Sequence, residues 1–228
     1  IAPWGTDRMN AVTRLALAAM LALPASVAMP AAPIEGRDYF RVNPPLPAAD
    51  PSKIVVTKFF SYQCPHCDGF ARPYAAWSAA LPPDVKSERA AVSIGHAGWV
   101  AAGRAYYALV AMKAVPAIDD AFFDAVHRQR VKLTDEAAIA AWLARQGIDR
   151  AAFERLYRSF GVQLQATRAD DLSRKVRLPS VPALVIDGRY LIPISDDGKF
   201  GDQLAVADAL IERARRERPA VRAASPAI

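Results

Sequence analysis

The sequence predicts an α/β fold in which a sheet is interrupted by an all-helical insertion. Three observations carry this. A nearly continuous β-branched and aromatic run, "KIVVTKFF" (53–60), reads as a strand buried on both faces. Residues 99–161 contain almost no strand pattern. Strand chemistry then returns in "PALVIDGRYLIPI" (182–194), where Asp187-Gly188 between apolar runs signals a tight hairpin. The order strand, helix, strand, helical block, hairpin, helix describes one layered α/β unit with an insertion.

Met9, Asn10 and Arg14 precede the apolar run "LALAAMLAL" (15–23), Pro24 breaks it, and "SVA" (26–28) supplies small residues for cleavage. A run of about nine residues suits an export signal and is too short for a membrane span of about 20. Residues 1–28 therefore read as upstream residues plus a signal peptide. Residues 29–50, rich in Pro and Ala, form an N-terminal arm in which "GRDYF" (36–40) is a short edge-strand candidate. Residues 51–97 and 163–217 are expected to form the two parts of the sheet-bearing domain, 98–162 the insertion, and 218–228 a flexible tail.

Within this frame each element has a local reason. After Cys64, the positions of Phe70, Tyr74, Trp77 and Leu81 fall on one helical face, and "LPP" (81–83) ends the helix. "VKSERAAVSI" (85–94) is the second strand. "AAGRAYYALVAMKAV" (101–115) is helical and limited by Pro116. "AIDDAFFDAVHRQR" (117–130) follows as another helix. "TDEAAIAAWLARQG" has Thr134 as N-cap, Glu136 in its first turn and Gly147 at its end. "DRAAFERLYRSFG" ends at Gly161, and "QLQATRADDLSRKV" (163–176) is a further helix. "DQLAVADALIERARR" (202–216) closes the chain as an amphipathic helix.

The chain has 228 residues, enough to bury a core, and 53 % of them are apolar, which excludes a disordered chain. Its formal net charge is +6, with Arg213, Arg215, Arg216, Arg218 and Arg222 near the C-terminus. Acidic residues are scattered among these arginines and no basic patch is interleaved with aromatics, so nucleic acid is not an expected partner.

Both cysteines lie in "FFSYQCPHCDGF" (59–70), with Pro65 and His66 between Cys64 and Cys67. Zinc needs about four ligands. Here there is one cysteine pair, and His96 and His127 sit in separate elements without ligand spacing, so they read as surface or hydrogen-bonded histidines and no metal is expected. A structural disulfide closing so short a loop would constrain the unfolded chain little. A redox pair fits the context better. Cys64 would face the unpaired N–H groups and positive end of the following helix, which lowers a thiol pKa. Pro65 suits the first turn because its missing N–H is not needed there. His66, protonated or hydrogen-bonded, would stabilise the thiolate further.

"FFSYQCPHC", "RAYYAL", "SFGVQ" and "SVPALVIDGRYL" together resemble the DsbA family of thiol:disulfide oxidoreductases, from about Gly36 to Arg216. The resemblance implies a thioredoxin-like fold with an all-helical insertion domain, and a cis Pro182 facing the cysteine pair. It implies that Cys64 is the exposed attacking sulfur and Cys67 the buried resolving one, and that Val181 and Pro182 line the substrate groove. It further implies a periplasmic enzyme, with no cofactor besides the Cys64–Cys67 disulfide. That disulfide passes to unfolded secreted proteins with free thiols and is restored by a DsbB-type quinone-linked membrane oxidase. A monomer is expected. Tyr62, Phe70 and Trp99 are candidates either for the groove wall or for the core. A reductase or isomerase of the same fold, a copper metallochaperone and a redox-inert chaperone are the competing readings. One position departs from the family, which usually carries a buried glutamate six residues before the first cysteine. Here it is Lys58. Either Lys58 is buried, with Glu88 of the neighbouring strand supplying the carboxylate, or it reaches water at the strand end.

Overall fold

The computed structural model describes residues 32–195 and 199–218. The proposed signal segment and the end of the tail lie outside the described residues. Five strands form one sheet in the order β1-β5-β4-β2-β3. They are β1 (Phe40–Arg41), β2 (Ile54–Phe60), β3 (Val85–Ala91), β4 (Ala183–Ile186) and β5 (Tyr190–Pro193). Among these five strands β2 and β3 alone pair in parallel, from Ile54 opposite Val85 to Phe60 opposite Ala91. That pairing requires a crossover, and helix α1 (Pro65–Ala79) supplies it. β2 also pairs antiparallel with β4, Val56 opposite Ile186. With partners on both sides and cover on both faces, β2 is buried along nearly its whole length, as its apolar run predicts.

Helices α2 (Val100–Ala111), α3 (Val115–His127), α4 (Glu136–Arg145), α5 (Arg150–Tyr157) and α6 (Phe160–Lys175) follow β3, and α7 (Phe200–Glu217) follows β5. One apolar cluster joins Phe59, Phe60 and Tyr62 to Leu109, Phe122, Phe123, Trp142 and Phe153 of the helical segment. A second lies against α1 and α7: Val56, Leu184, Tyr190 and Ile192 meet Phe70, Tyr74, Leu204 and Leu210. Burying side chains of this size contributes roughly 1.5–3 kcal/mol each. The hairpin forms at the expected dipeptide, with Asp187 at φ 54° and Gly188 at φ 65°. A Cβ on Gly188 would also lie 2.9 Å from the Leu46 side chain, so the turn needs glycine twice over.

Several helix ends differ from the sequence reading. Asp135, not Thr134, caps α4, because its carboxylate accepts the Ala138 N–H at 2.9 Å and its charge complements the helix dipole. Pro116 does not limit α2, which ends at Ala111; it sits in the first turn of α3, where no N–H is required. Gly161 does not end α5 either. Ser159 caps α6 through Val162, so Gly161 falls in the first turn of the next helix. Leu81 lies beyond the end of α1 but still packs on the second cluster. Helix α1 runs through Pro73, which leaves the Gly69 carbonyl without its intrahelical donor.

Three of the C-terminal arginines are engaged in ion pairs. Arg213 meets Glu217 and Arg215 meets Asp84. Arg218 grips the buried Asp187 carboxylate and donates to the Pro51 carbonyl.

Candidate active site

The chain leaves β2 at Phe60, turns through Ser61, Tyr62 and Gln63, and enters α1 with Cys64 as N-cap residue in extended conformation. This turn is tied to the helical segment at three points. Tyr62 lies along α3: its hydroxyl donates to Asp119 at 2.6 Å and its ring stacks on Phe122 at 4.2 Å. Its carbonyl accepts from His127 Nε2 at 2.8 Å. Gln63 Nε2 donates to the Leu133 carbonyl at 2.8 Å. The bonds fix the backbone immediately before the first cysteine. Pro65 opens the helix, and it and His66 are exposed.

The two sulfurs are present as thiols. The expected exposed Cys64 is in fact only 3 % exposed, because Val181 covers it: Sγ donates to the Val181 carbonyl at 3.3 Å. Cys67 is fully buried and packed more deeply. Their acidities separate accordingly. Cys64 is pulled down from 9.0 to about 7, first by the hydrogen bond from the Cys67 thiol, then by the backbone N–H groups of Cys67 and His66 and the charge of His66; burial works against this. Cys67 is pushed well up, chiefly by burial and then by the bond to Cys64. One sulfur is thus built to ionise and the other to hold its proton. The Val181–Pro182 peptide bond is cis, as expected, and it opens β4 beside Cys64.

Lys58 is 2 % exposed, so it does not reach water. Its ammonium lies over the Tyr74 ring at 4.6 Å and the Phe70 ring at 5.4 Å. Burial, helped by the charge of Arg89, pushes it down from 10.5 to about 7; Cys67 and Asp119 act in the opposite direction. Glu88 is not its partner. Successive strand residues point to opposite faces, and the register sets Lys58 opposite Arg89 and Glu88 opposite Thr57. Glu88 pairs instead with Lys86 at 2.8 Å. The carboxylate near Lys58 comes from α3. Asp119 takes both terminal nitrogens of Arg89, at 2.8 and 2.9 Å, besides the Tyr62 hydroxyl. Sequence reading missed Asp119.

Tyr62 and Phe70 are 1 % and 0 % exposed and belong to the core, not to a groove wall. Trp99 is half-buried and packs on His96, ring centroids 4.4 Å apart.

The chain is 35 % identical over 205 residues to the thiol:disulfide interchange protein DsbA of Bordetella parapertussis, spanning 90 % of this chain and 97 % of that one. An alignment of that span includes the cysteine pair. The chain belongs to the DsbA family. A family model described as a DSBA-like thioredoxin domain matches residues 91–205. The DsbA of Azotobacter vinelandii is 37 % identical over 180 residues, covering 79 % of this chain and 84 % of the relative. The crystal structure of Pseudomonas aeruginosa DsbA superposes with a TM-score of 0.77 at 32 % identity, over 81 % of this chain and 95 % of that one. The DsbA relationship makes the chain a disulfide oxidoreductase with a thioredoxin-like fold and helical insertion.

Proposed function

We propose that the chain works outside the cytoplasm, in the periplasm, as a dithiol oxidase that donates a Cys64–Cys67 disulfide to secreted proteins as they fold. The observation that carries this reading is the placement of the two sulfurs, Cys64 at the N-cap of α1 against the Val181 carbonyl before cis Pro182 and Cys67 fully buried behind it, which sets their acidities apart. A client thiolate attacks Sγ of Cys64 and displaces Cys67. A second client thiolate then attacks the client sulfur of the mixed disulfide and displaces Cys64. The client gains a disulfide and the enzyme is left with two thiols. At pH 7 a thiol with a pKa of about 7 is half ionised, about fiftyfold more than one at 9.0. Lower intrinsic nucleophilicity offsets roughly eightfold of this, so attack gains several-fold and departure from the mixed disulfide also speeds up.

Two electrons enter the enzyme in each cycle and an external acceptor must remove them. A quinone-linked membrane oxidase of DsbB type fits that need, since the sulfur pair is itself the redox group and requires no bound cofactor. The backbone at Val181 and Pro182, beside Sγ, offers client chains a sequence-independent surface. Each enzyme molecule carries one complete sulfur pair, which suits action as a monomer. Among the described residues no helix is long and apolar enough to cross a membrane.

The redox equilibrium of the mature protein with glutathione tests the proposal. An oxidase should be reduced by glutathione mixtures that leave ordinary structural disulfides intact. Resistance to reduction at millimolar glutathione would place the protein among reductases instead.

A further inference from the structure

The chain enters the site through one peptide plane, and that plane is held at both ends. Between Tyr62 and Gln63 the N–H donates to the Ser61 hydroxyl at 3.2 Å, and the carbonyl accepts from His127 Nε2 at 2.8 Å. Tyr62 is buried, so its carbonyl depends on a protein donor. Cys64 follows directly. Its N–H donates to the Ser61 carbonyl at 3.2 Å. Its extended conformation, φ −93° and ψ 119°, lets an N-cap side chain turn back toward the N–H groups that open α1. The same placement brings Sγ within 3.3 Å of the Val181 carbonyl. Ser61 belongs to the turn itself, whereas His127 is the last residue of α3, 65 positions along the chain from Tyr62. The imidazole is fixed in its turn. It packs on Phe123, centroids 6.1 Å apart and planes 25° apart, and Phe123 is locked in the core against Phe60 and Tyr62. A carbonyl oxygen can only accept, so Nε2 carries a proton in the neutral ring and in the imidazolium alike. The bond therefore holds on both sides of the histidine's titration.

We propose that His127 is a positioning residue for the nucleophile: by holding the Tyr62 carbonyl it keeps Cys64 extended, with Sγ against the start of α1 and the Val181 carbonyl. Without the bond the plane is free to rotate about ψ of Tyr62 and φ of Gln63. Cys64 then samples placements in which the helix N-terminus no longer stabilises its thiolate. The helical segment thus tunes the sulfur pair through the main chain, and neither a proton nor an electron passes through the imidazole. The inference rests on the dithiol exchange proposed above.

The test is the pH dependence of Cys64 alkylation by iodoacetamide in the reduced protein, read beside the glutathione equilibrium. His127→Leu removes the donor and should raise the alkylation midpoint by about one pH unit, half of the fall from 9.0 to about 7. His127→Asn, polar but too short to reach the carbonyl, should do the same. His127→Gln, whose amide N–H reaches about as far as Nε2, should keep the midpoint within about 0.3 of wild type. A less stable thiolate favours the disulfide. At pH 9, where Cys64 is largely ionised in both proteins, the glutathione equilibrium of His127→Leu should shift about ninefold toward the disulfide. At pH 6, where the sulfur is a thiol in both, wild type and variant should agree within about a fifth. A general loosening of the fold does not follow that pattern, and Arg218→Ala, which weakens the fold at the hairpin, should leave the midpoint unmoved. His127→Leu with a wild-type midpoint would overturn the proposal. So would equal shifts in His127→Leu and His127→Gln, which would assign the effect to the ring's bulk or charge. A shift in Arg218→Ala as large as in His127→Leu would overturn it too. A wild type that glutathione does not reduce would sink the exchange reading instead; the alkylation midpoints need no exchange partner and still decide the role of His127.

Discussion

Replacing Lys58 by Met should change the pH dependence of stability by a calculable amount. The folded protein holds Lys58 at about 7 against 10.5 for a free side chain. At about 1.4 kcal/mol per pH unit, the buried charge costs about 5 kcal/mol below pH 7. The folded value lies below the unfolded one, so between pH 7 and 10.5 the unfolded chain binds more protons. Stability therefore rises with pH across that window, with the penalty complete below it and gone above it. Met keeps much of the stem's bulk and removes both the charge and its titration. Lys58→Met should be more stable than wild type at pH 6, and the difference should shrink by about 3 kcal/mol by pH 9. Urea unfolding of both proteins at pH 6, 7.5 and 9, kept reduced with a phosphine, measures it. Titration of Cys64 contributes to both proteins and cancels to first order. A difference constant to within about 1 kcal/mol over this range would refute the argument, because it would mean that Lys58 is solvated or stays charged throughout.

Alkylation of the reduced protein by iodoacetamide should follow a titration with midpoint near pH 7 and modify Cys64 alone at pH 7.5; peptide mass mapping that found Cys67 labelled first would reverse the roles of the sulfurs. Asp119→Ala strips the largely buried Arg89 of its carboxylate and Tyr62 of its acceptor, and should cost about 3 kcal/mol or more in urea. A loss below about 1 kcal/mol would show that water replaces the carboxylate. Arg218→Ala leaves the Asp187 carboxylate, 2 % exposed, without its main partner, and should likewise cost about 3 kcal/mol. An unchanged thermal midpoint would mean that Arg189, 3.5 Å from the same carboxylate, suffices.

Features decided within a few residues were legible in the sequence. The β2 run is apolar because both its faces are covered, and the Asp187-Gly188 turn needs positive φ at two successive residues. Helix ends were less legible because several adjacent residues can cap and only the folded geometry selects one. Thr134 and Asp135 both carry suitable oxygens, and Asp135 is the one that reaches Ala138. At 159–161, serine and glycine gave opposite signals, start and stop, and the start prevailed. Nothing local announces that β4 pairs with β2 across the whole helical segment.

The same distinction runs through the site. Cys64, Cys67 and Pro182 stand out in a motif, but the company of Lys58 does not. Choosing Glu88 failed by one residue of register, and in a strand one residue is the difference between the two faces of the sheet. Counting from Lys58 to its true opposite gives Arg89, a second cation where a carboxylate was sought. Among the described residues the acid facing this pair is Asp119, brought from α3 with no local signal, and both terminal nitrogens of Arg89 occupy it. Two cations then share one anion in a buried place. Arginine cannot release its proton in a protein, so the excess charge can be relieved only at the lysine. Burial first, and then the charge of Arg89, bring Lys58 down to about 7, while Asp119 raises the pKa of Arg89. Asp119 thus acts on this place at one remove: by pairing with Arg89 through both its terminal nitrogens, it leaves Lys58 as the cation whose charge burial can remove.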